Sequence, residues 1–159
     1  MQWSKAQVER YVAGQASDFD SYSSGTTDTD FDWFACDRLN RLAVFSNGTQ
    51  LLVPTSVFAD RHAYLVIAEL VLTLPIVGHS QPPVRGHRLD YGERGLFYYD
   101  VPRPAPNQVL YELDFAPTVP LSIHELPSSA IQYLEGLRCP GEFGAETLLS
   151  LDSWGLPAQ

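Results

Sequence analysis

TTDTDFDWFACDRLNRLAVFS, residues 26–46, is where the hydrophobic period of this chain becomes two. Phe31, Trp33 and Ala35 alternate with Asp32, Phe34 and Cys36, the spacing of a strand whose two faces carry different side chains. Asp37 to Asn40 hold the residue types of a turn, and RLAVFS (41–46) reads as the returning strand. Asn47-Gly48 then supplies the two left-handed positions of a type I′ hairpin turn, so Thr49 to Val53 are expected as a third strand. The triplet Asn47-Gly48-Thr49 also spells a glycosylation sequon, but without a secretion signal the hairpin reading takes precedence. Strands that follow one another with no helix between them point to antiparallel pairing.

Working outward, Ser4 and Gln7 have the spacing of a capping box, and Val8, Tyr11 and Val12 form an apolar stripe that Gly14 is placed to end. The spacing predicts a helix over 4–13 and a polar loop over 15–29. Downstream, Pro54 opens a second helix to about Thr73, capped by Thr55 or Ser56, with Val57, Phe58, Leu65, Ala68, Val71 and Leu72 at helical spacing. Residues 75–95 hold three prolines and four glycines and read as a long loop. Strands follow at Leu96–Val101 and Val109–Phe115, with a short one at Leu121–Ile123. Pro127 suits the first turn of a helix carrying Ile131, Leu134 and Leu137, which Cys139-Pro140-Gly141 ends. The tail, with Leu148, Leu149, Leu151 and Trp154, is expected to fold back on the body. The fold class is therefore α+β: a single domain over 1–159, with a mostly antiparallel sheet of five or six strands and about three helices packed on one face.

Charge narrows the function. The 159-residue chain has a formal net charge of −9. Between Tyr11 and Asp37 lie six aspartates (Asp18, Asp20, Asp28, Asp30, Asp32 and Asp37) and no lysine or arginine. Such a surface repels nucleic acid and anionic membranes and attracts basic proteins. The N-terminus has no apolar signal segment, and the run Tyr64–Leu74 is too short and too polar to cross a bilayer, so a cytoplasmic protein is expected. Two cysteines do not make a disulfide framework.

No catalytic pattern emerges. Asp28, Asp30 and Asp32 match positions one, three and five of a calcium loop, but Trp33 stands where the turn glycine belongs and Leu39 where the bidentate glutamate belongs. His62, His79, His87 and His124 lack zinc-ligand spacing. Cys36 lies beside Asp37 and Cys139 at a helix C-terminus, both unfavourable to a thiolate. Glu112 and Asp114 share one face of a strand and read as its solvated side. No cofactor, no metal and no enzyme are expected.

Asp32-Trp33-Phe34-Ala35-Cys36-Asp37, then Leu42-Ala43-Val44-Phe45, a glycine turn and Pro54 resemble a pattern in small bacterial proteins associated with immunity to polymorphic toxins. The block Gly95-Leu96-Phe97-Tyr98-Tyr99-Asp100, with Tyr111, Pro117, Pro120-Leu121 and Glu125-Leu126-Pro127, is similar to the same group. The resemblance covers residues 30–140 in two patches, and departs from the pattern where Leu39-Asn40 replaces Asp-Gly. It implies a protein that neutralises a cognate toxin by binding it. No site residue carries over from it. The acidic segment itself suggests the contact surface: Asp18, Asp20, Asp28, Asp30 and Asp32, facing a basic toxin domain. Two alternatives stay open. One is a small-ligand protein or enzyme using residues 78–95, where His79, Arg85, His87 and Asp90 would converge beside Tyr98 and Tyr99. The other is an interaction or regulatory domain unconnected with toxins.

Overall fold

A computed structural model describes residues 2–26, 29–82 and 90–156 of the chain. Helix α1 (Lys5–Ser23) starts at the expected capping box, with Gln7 N donating to Ser4 Oγ at 3.2 Å and Ser4 N donating to Gln7 Oε1 at 2.8 Å. It does not stop at Gly14. Val8, Gln15, Phe19 and Tyr22 continue the helical spacing and are its buried residues. Gly14 lies on the open side, where a Cβ would meet nothing within 4 Å. A helical glycine costs about 1 kcal/mol relative to alanine, and the burial of Phe19 and Tyr22 outweighs it. The serines and aspartates that resemble a loop sit largely on the outer face of that helix.

Strands β1 (Asp32–Cys36) and β2 (Leu42–Ser46) form the expected antiparallel pair, with Asp32 opposite Ser46 and Cys36 opposite Leu42. Asn40 adopts φ 62°, the left-handed conformation that a glycine would supply in the intervening turn. The expected type I′ hairpin at Asn47-Gly48 is absent. The left-handed residues are Gly48 and Thr49, one position later, and 49–53 run on without forming a strand. Asn47 is buried, and its side chain explains the shift. Its Oδ1 accepts from Phe31 N at 2.9 Å, while its Nδ2 donates to Tyr22 Oη at 2.6 Å and to the Leu51 carbonyl at 3.3 Å. An asparagine saturated in this way works as an internal tie between α1, the start of β1 and the departing chain.

The second helix is also displaced. Residues Thr55–Phe58 form a separate 3-10 turn, and α2 (Arg61–Thr73) begins only at Asp60, whose Oδ1 accepts from Ala63 N at 3.0 Å. Further along come β3 (Ser80–Gln81), β4 (Phe97–Asp100), β5 (Leu110–Pro117), α3 (Ser128–Glu135) and β6 (Leu148–Ser150). The predicted strand at 121–123 is instead the entry to a 3-10 turn, Ile123–Glu125. The six strands make one sheet in the order β1-β2-β4-β5-β3, with β6 on the outer side of β5. The α+β class and the three helices are as the sequence implies. The sheet is mixed rather than mostly antiparallel, because β4 runs parallel to β2. That pairing follows from α2: a crossover containing a helix returns the chain in the same direction, as a tight turn cannot.

The helices cover one face, where Phe34 packs on Tyr64 of α2 and Cys36 Sγ approaches the Leu134 carbonyl of α3 at 3.4 Å. On the other face the rings of Trp33, Phe45, Tyr99 and Tyr111 lie beneath Phe143 and Trp154 of the C-terminal segment. Trp33 and Phe45 stack at 4.4 Å, and Trp33 Nε1 donates to Tyr111 Oη at 3.1 Å. Residues 33–36 are thus buried on both faces. Each large apolar side chain so placed contributes roughly 1.5–3 kcal/mol.

Candidate protein-binding surface

The acidic segment enters the sheet at β1, and its aspartates take different environments. Asp20, on the exposed side of α1, accepts two hydrogen bonds from Arg61 of α2, at 2.8 and 3.0 Å. The guanidinium holds its carboxyl below the usual range. Asp18, two residues earlier on the same helix and partly buried, is pushed up by burial and by the negative charge of Asp30. Asp28 lies outside the described residues. Asp30 is exposed, and its Oδ1 accepts from Ser46 Oγ at 3.0 Å and Gly48 N at 2.9 Å.

Asp32 is the most perturbed of them. Its carboxyl faces the helical layer and accepts from Tyr91 Oη at 3.2 Å, and the Tyr91 hydroxyl lies 2.8 Å from that of Tyr11 on α1. The hydroxyl of Tyr64 donates to its backbone carbonyl at 2.6 Å. Loss of solvent, followed by repulsion from Asp30 and Asp100, lifts the Asp32 carboxyl from an ordinary 3.8 to about 7. Hydrogen bonds from Ser46 and Tyr91 oppose that rise without cancelling it.

Asp18, Asp30 and Asp32 therefore gather at one corner, while Asp20 is drawn aside to Arg61. Asp30 and Asp32 both adjoin Ser46, and each has a further donor of its own, Gly48 N for Asp30 and Tyr91 Oη for Asp32. Among the described residues no group of three or more histidines, cysteines or carboxylates is arranged to hold a metal.

A member of the corner that sequence reasoning missed is Asp100. It ends β4, contributes to the field on Asp32, and lines a groove of about 550 Å3 with Asp30, Gly48, Gln50 and Arg103. A second groove of about 260 Å3 continues past Asp100 and Arg103 to Glu112 and Asp114. No local signal joins Asp100 to Asp30, because only the parallel pairing of β2 with β4 makes them neighbours. Glu112 and Asp114 were legible as one strand face. They are half-buried lining of that groove rather than open surface.

The other candidate chemistry disperses. Arg85 and His87 fall outside the described residues. Asp90 is held by Arg94, at 2.8 and 3.0 Å, and by Trp3 Nε1 at 3.0 Å. Tyr98 stacks on Tyr91 and Phe115, whereas Tyr99 belongs to the opposite face with Phe45 and Phe143, so the two do not line one cleft. Burial pushes the Cys36 thiol up to about 11 and raises that of Cys139 as well, leaving neither as a ready nucleophile. No helix among the described residues is long and apolar enough to cross a membrane. No protein-family model, curated protein or solved structure matches this chain.

Proposed function

We propose that this chain is a non-enzymatic, cytoplasmic binding protein that neutralises a basic toxin domain, as the immunity proteins it resembles in residues 30–140 do. The contact surface is the acidic corner of Asp18 and Asp30, with Asp20 at its flank, Asp32 beneath it and Asp100 alongside; Asp28 is assigned to the same surface from its place in the sequence alone. The observation that carries this reading is the crowding of like charge there. Asp18 and Asp32 are both raised in part by repulsion from Asp30, so the unbound protein holds an electrostatic strain. A lysine or arginine docked at the corner would relieve it and lower both carboxyls towards their ordinary range. The net charge of −9 supports the same partner at longer range by steering a cationic protein inward.

Co-purification with the product of the adjacent gene tests the function. Binding kinetics of Asp18, Asp28 and Asp30, all replaced by Asn, test the surface. Neutralising them is expected to slow association by roughly tenfold at low salt and to flatten its salt dependence. A complex whose association rate and salt dependence are untouched by the triple change refutes the surface assignment.

A further inference from the structure

The two outer edges of the sheet are finished differently. At β1 the edge is closed: residues 33–36 are buried, Cys36 N donates to the Leu137 carbonyl at 3.2 Å, and Cys139 N donates to the Cys36 carbonyl at 2.7 Å. At β6 it is open. Leu113 N donates to the Thr147 carbonyl at 2.7 Å and Leu151 N to the Val109 carbonyl at 2.9 Å, so Thr147, Leu149 and Leu151 turn their backbone groups towards β5. By the alternation of an antiparallel ladder, Leu148 and Ser150 turn theirs outward. Among the described residues the Ser150 carbonyl is taken up by Ser153 Oγ at 2.8 Å, which leaves the Leu148 groups and the Ser150 N–H facing outward. Among the described residues β6 has no second strand beside it. The Leu148 side chain is 44% exposed. Lysine, proline and bulges, which ordinarily blunt such an edge, are absent from Leu148-Leu149-Ser150, and its length of three residues is the one such device present.

A cleft of about 480 Å3 opens next to this strand, lined by Tyr99, Leu110, Cys139, Glu146, Leu149 and Ser153 among others. We infer that β6 is a docking edge for an extended, basic segment of a partner protein, which joins the sheet as a further strand and places an apolar side chain in the cleft. Main-chain bonds to Leu148 and Ser150 would supply affinity, and alternate side chains the selectivity. Charge decides against a second copy of this chain. Glu146 stands exposed at the rim, Glu112 lies in register with Leu148, and each copy carries a net charge of −9. A pairing of like edges would oppose these charges, whereas a segment with lysine or arginine at alternate positions meets them favourably. From the neutralisation reading this takes only that the partner is basic, and its residues are distinct from the aspartate corner.

Titration of the intact protein with the acetylated, amidated peptide KVKVKVK, followed by amide NMR, tests it against KPKPKPK, which has equal charge but cannot form a strand. The expected result is saturable perturbation of the Leu148 and Ser150 amides by the first peptide, at least about tenfold weaker with the second, and weakened about fivefold by Glu146→Lys. Leu148→Pro removes an outward N–H while leaving the Tyr111–Leu149 pair, and should abolish binding. If that variant unfolds, the proline peptide and Glu146→Lys still decide. Equal response to both peptides, or perturbation confined to Asp18 and Asp30, overturns the edge and leaves the neutralisation reading standing. A dimer in sedimentation that Glu146→Lys tightens assigns the edge to a second copy and overturns the proposal as well.

Discussion

Asp32 and Asp37 bracket the same strand, and both carboxylates are drawn out of bulk water, yet their surroundings are opposite. Asp37 is wholly buried and accepts five hydrogen bonds: from Leu39 N, from Arg41 N, Nε and Nη2, and from Phe143 N, all at 2.7–3.0 Å. It fixes the β1–β2 turn, the start of β2 and the C-terminal segment together. Asp32 faces tyrosines and other acids, with no cation against it among the described residues, and is raised to about 7. Burial alone does not set the behaviour of a carboxylate. The number and charge of the donors that meet it do. One aspartate is a structural rivet, while the other is an acid held in tension at the proposed binding corner.

Removing the rivet should have the largest effect. Asp37→Ala leaves the Arg41 guanidinium and three backbone amides without their acceptor and should cost about 3 kcal/mol, read as a lower midpoint in urea denaturation. An unchanged midpoint would mean that the five bonds contribute nothing beyond solvation.

The tension at Asp32 should appear as a pH dependence. Its folded-state value lies above the unfolded one, so the folded protein holds the proton more tightly. Stability from this group is therefore present at low pH and is lost as pH rises from about 4 through about 7. The loss should be about 2 kcal/mol, short of the roughly 4 kcal/mol of a fully buried group, since Asp32 keeps some solvent exposure. Asp32→Asn should remove this slope, making the variant the more stable protein at pH 8 and little different at pH 5. Thermal melts of both proteins across that range decide the matter.

Tyr91→Phe sharpens the same contrast with a smaller change. Its hydroxyl is one of two donors, with Ser46, that stabilise the Asp32 carboxylate, so its loss should move the inflection to higher pH and cost about 1 kcal/mol at pH 8. Carbonyl NMR of Asp32 would follow the shift directly. Smallest of all is Asp20→Asn. The pair with Arg61 is exposed and screened, so no measurable change in melting temperature is expected, and a clear drop would contradict the placement of Asp20 on open surface.

Legibility in the sequence tracked the range of the interaction. The capping box at Ser4 and Gln7, the β1–β2 pair and the helix after Pro127 were visible because each rests on contacts within a few residues. Gly14 and Asn47 misled for the complementary reason. Each has a local meaning, helix stop or hairpin turn, that tertiary partners override: the buried stripe of Phe19 and Tyr22 in one case, and four hydrogen bonds to the Asn47 side chain in the other. The acidic corner was legible as composition, and Asp100 was not, since β4 reaches β2 only after the long α2 crossover.

By itself the sequence determined the α+β class, the positions of most helices and strands, and an acidic character concentrated before β1. These depend on periodicity, capping and summed charge, which are properties of neighbouring residues. The tertiary structure alone decided that β4 runs parallel to β2, that the C-terminal rings cover the second face of the sheet, and that β6 is left as an open edge. It also decided which aspartate became a rivet and which was placed under strain, because desolvation and charge pairing are set by side chains distant in sequence that only the fold brings within a few ångströms.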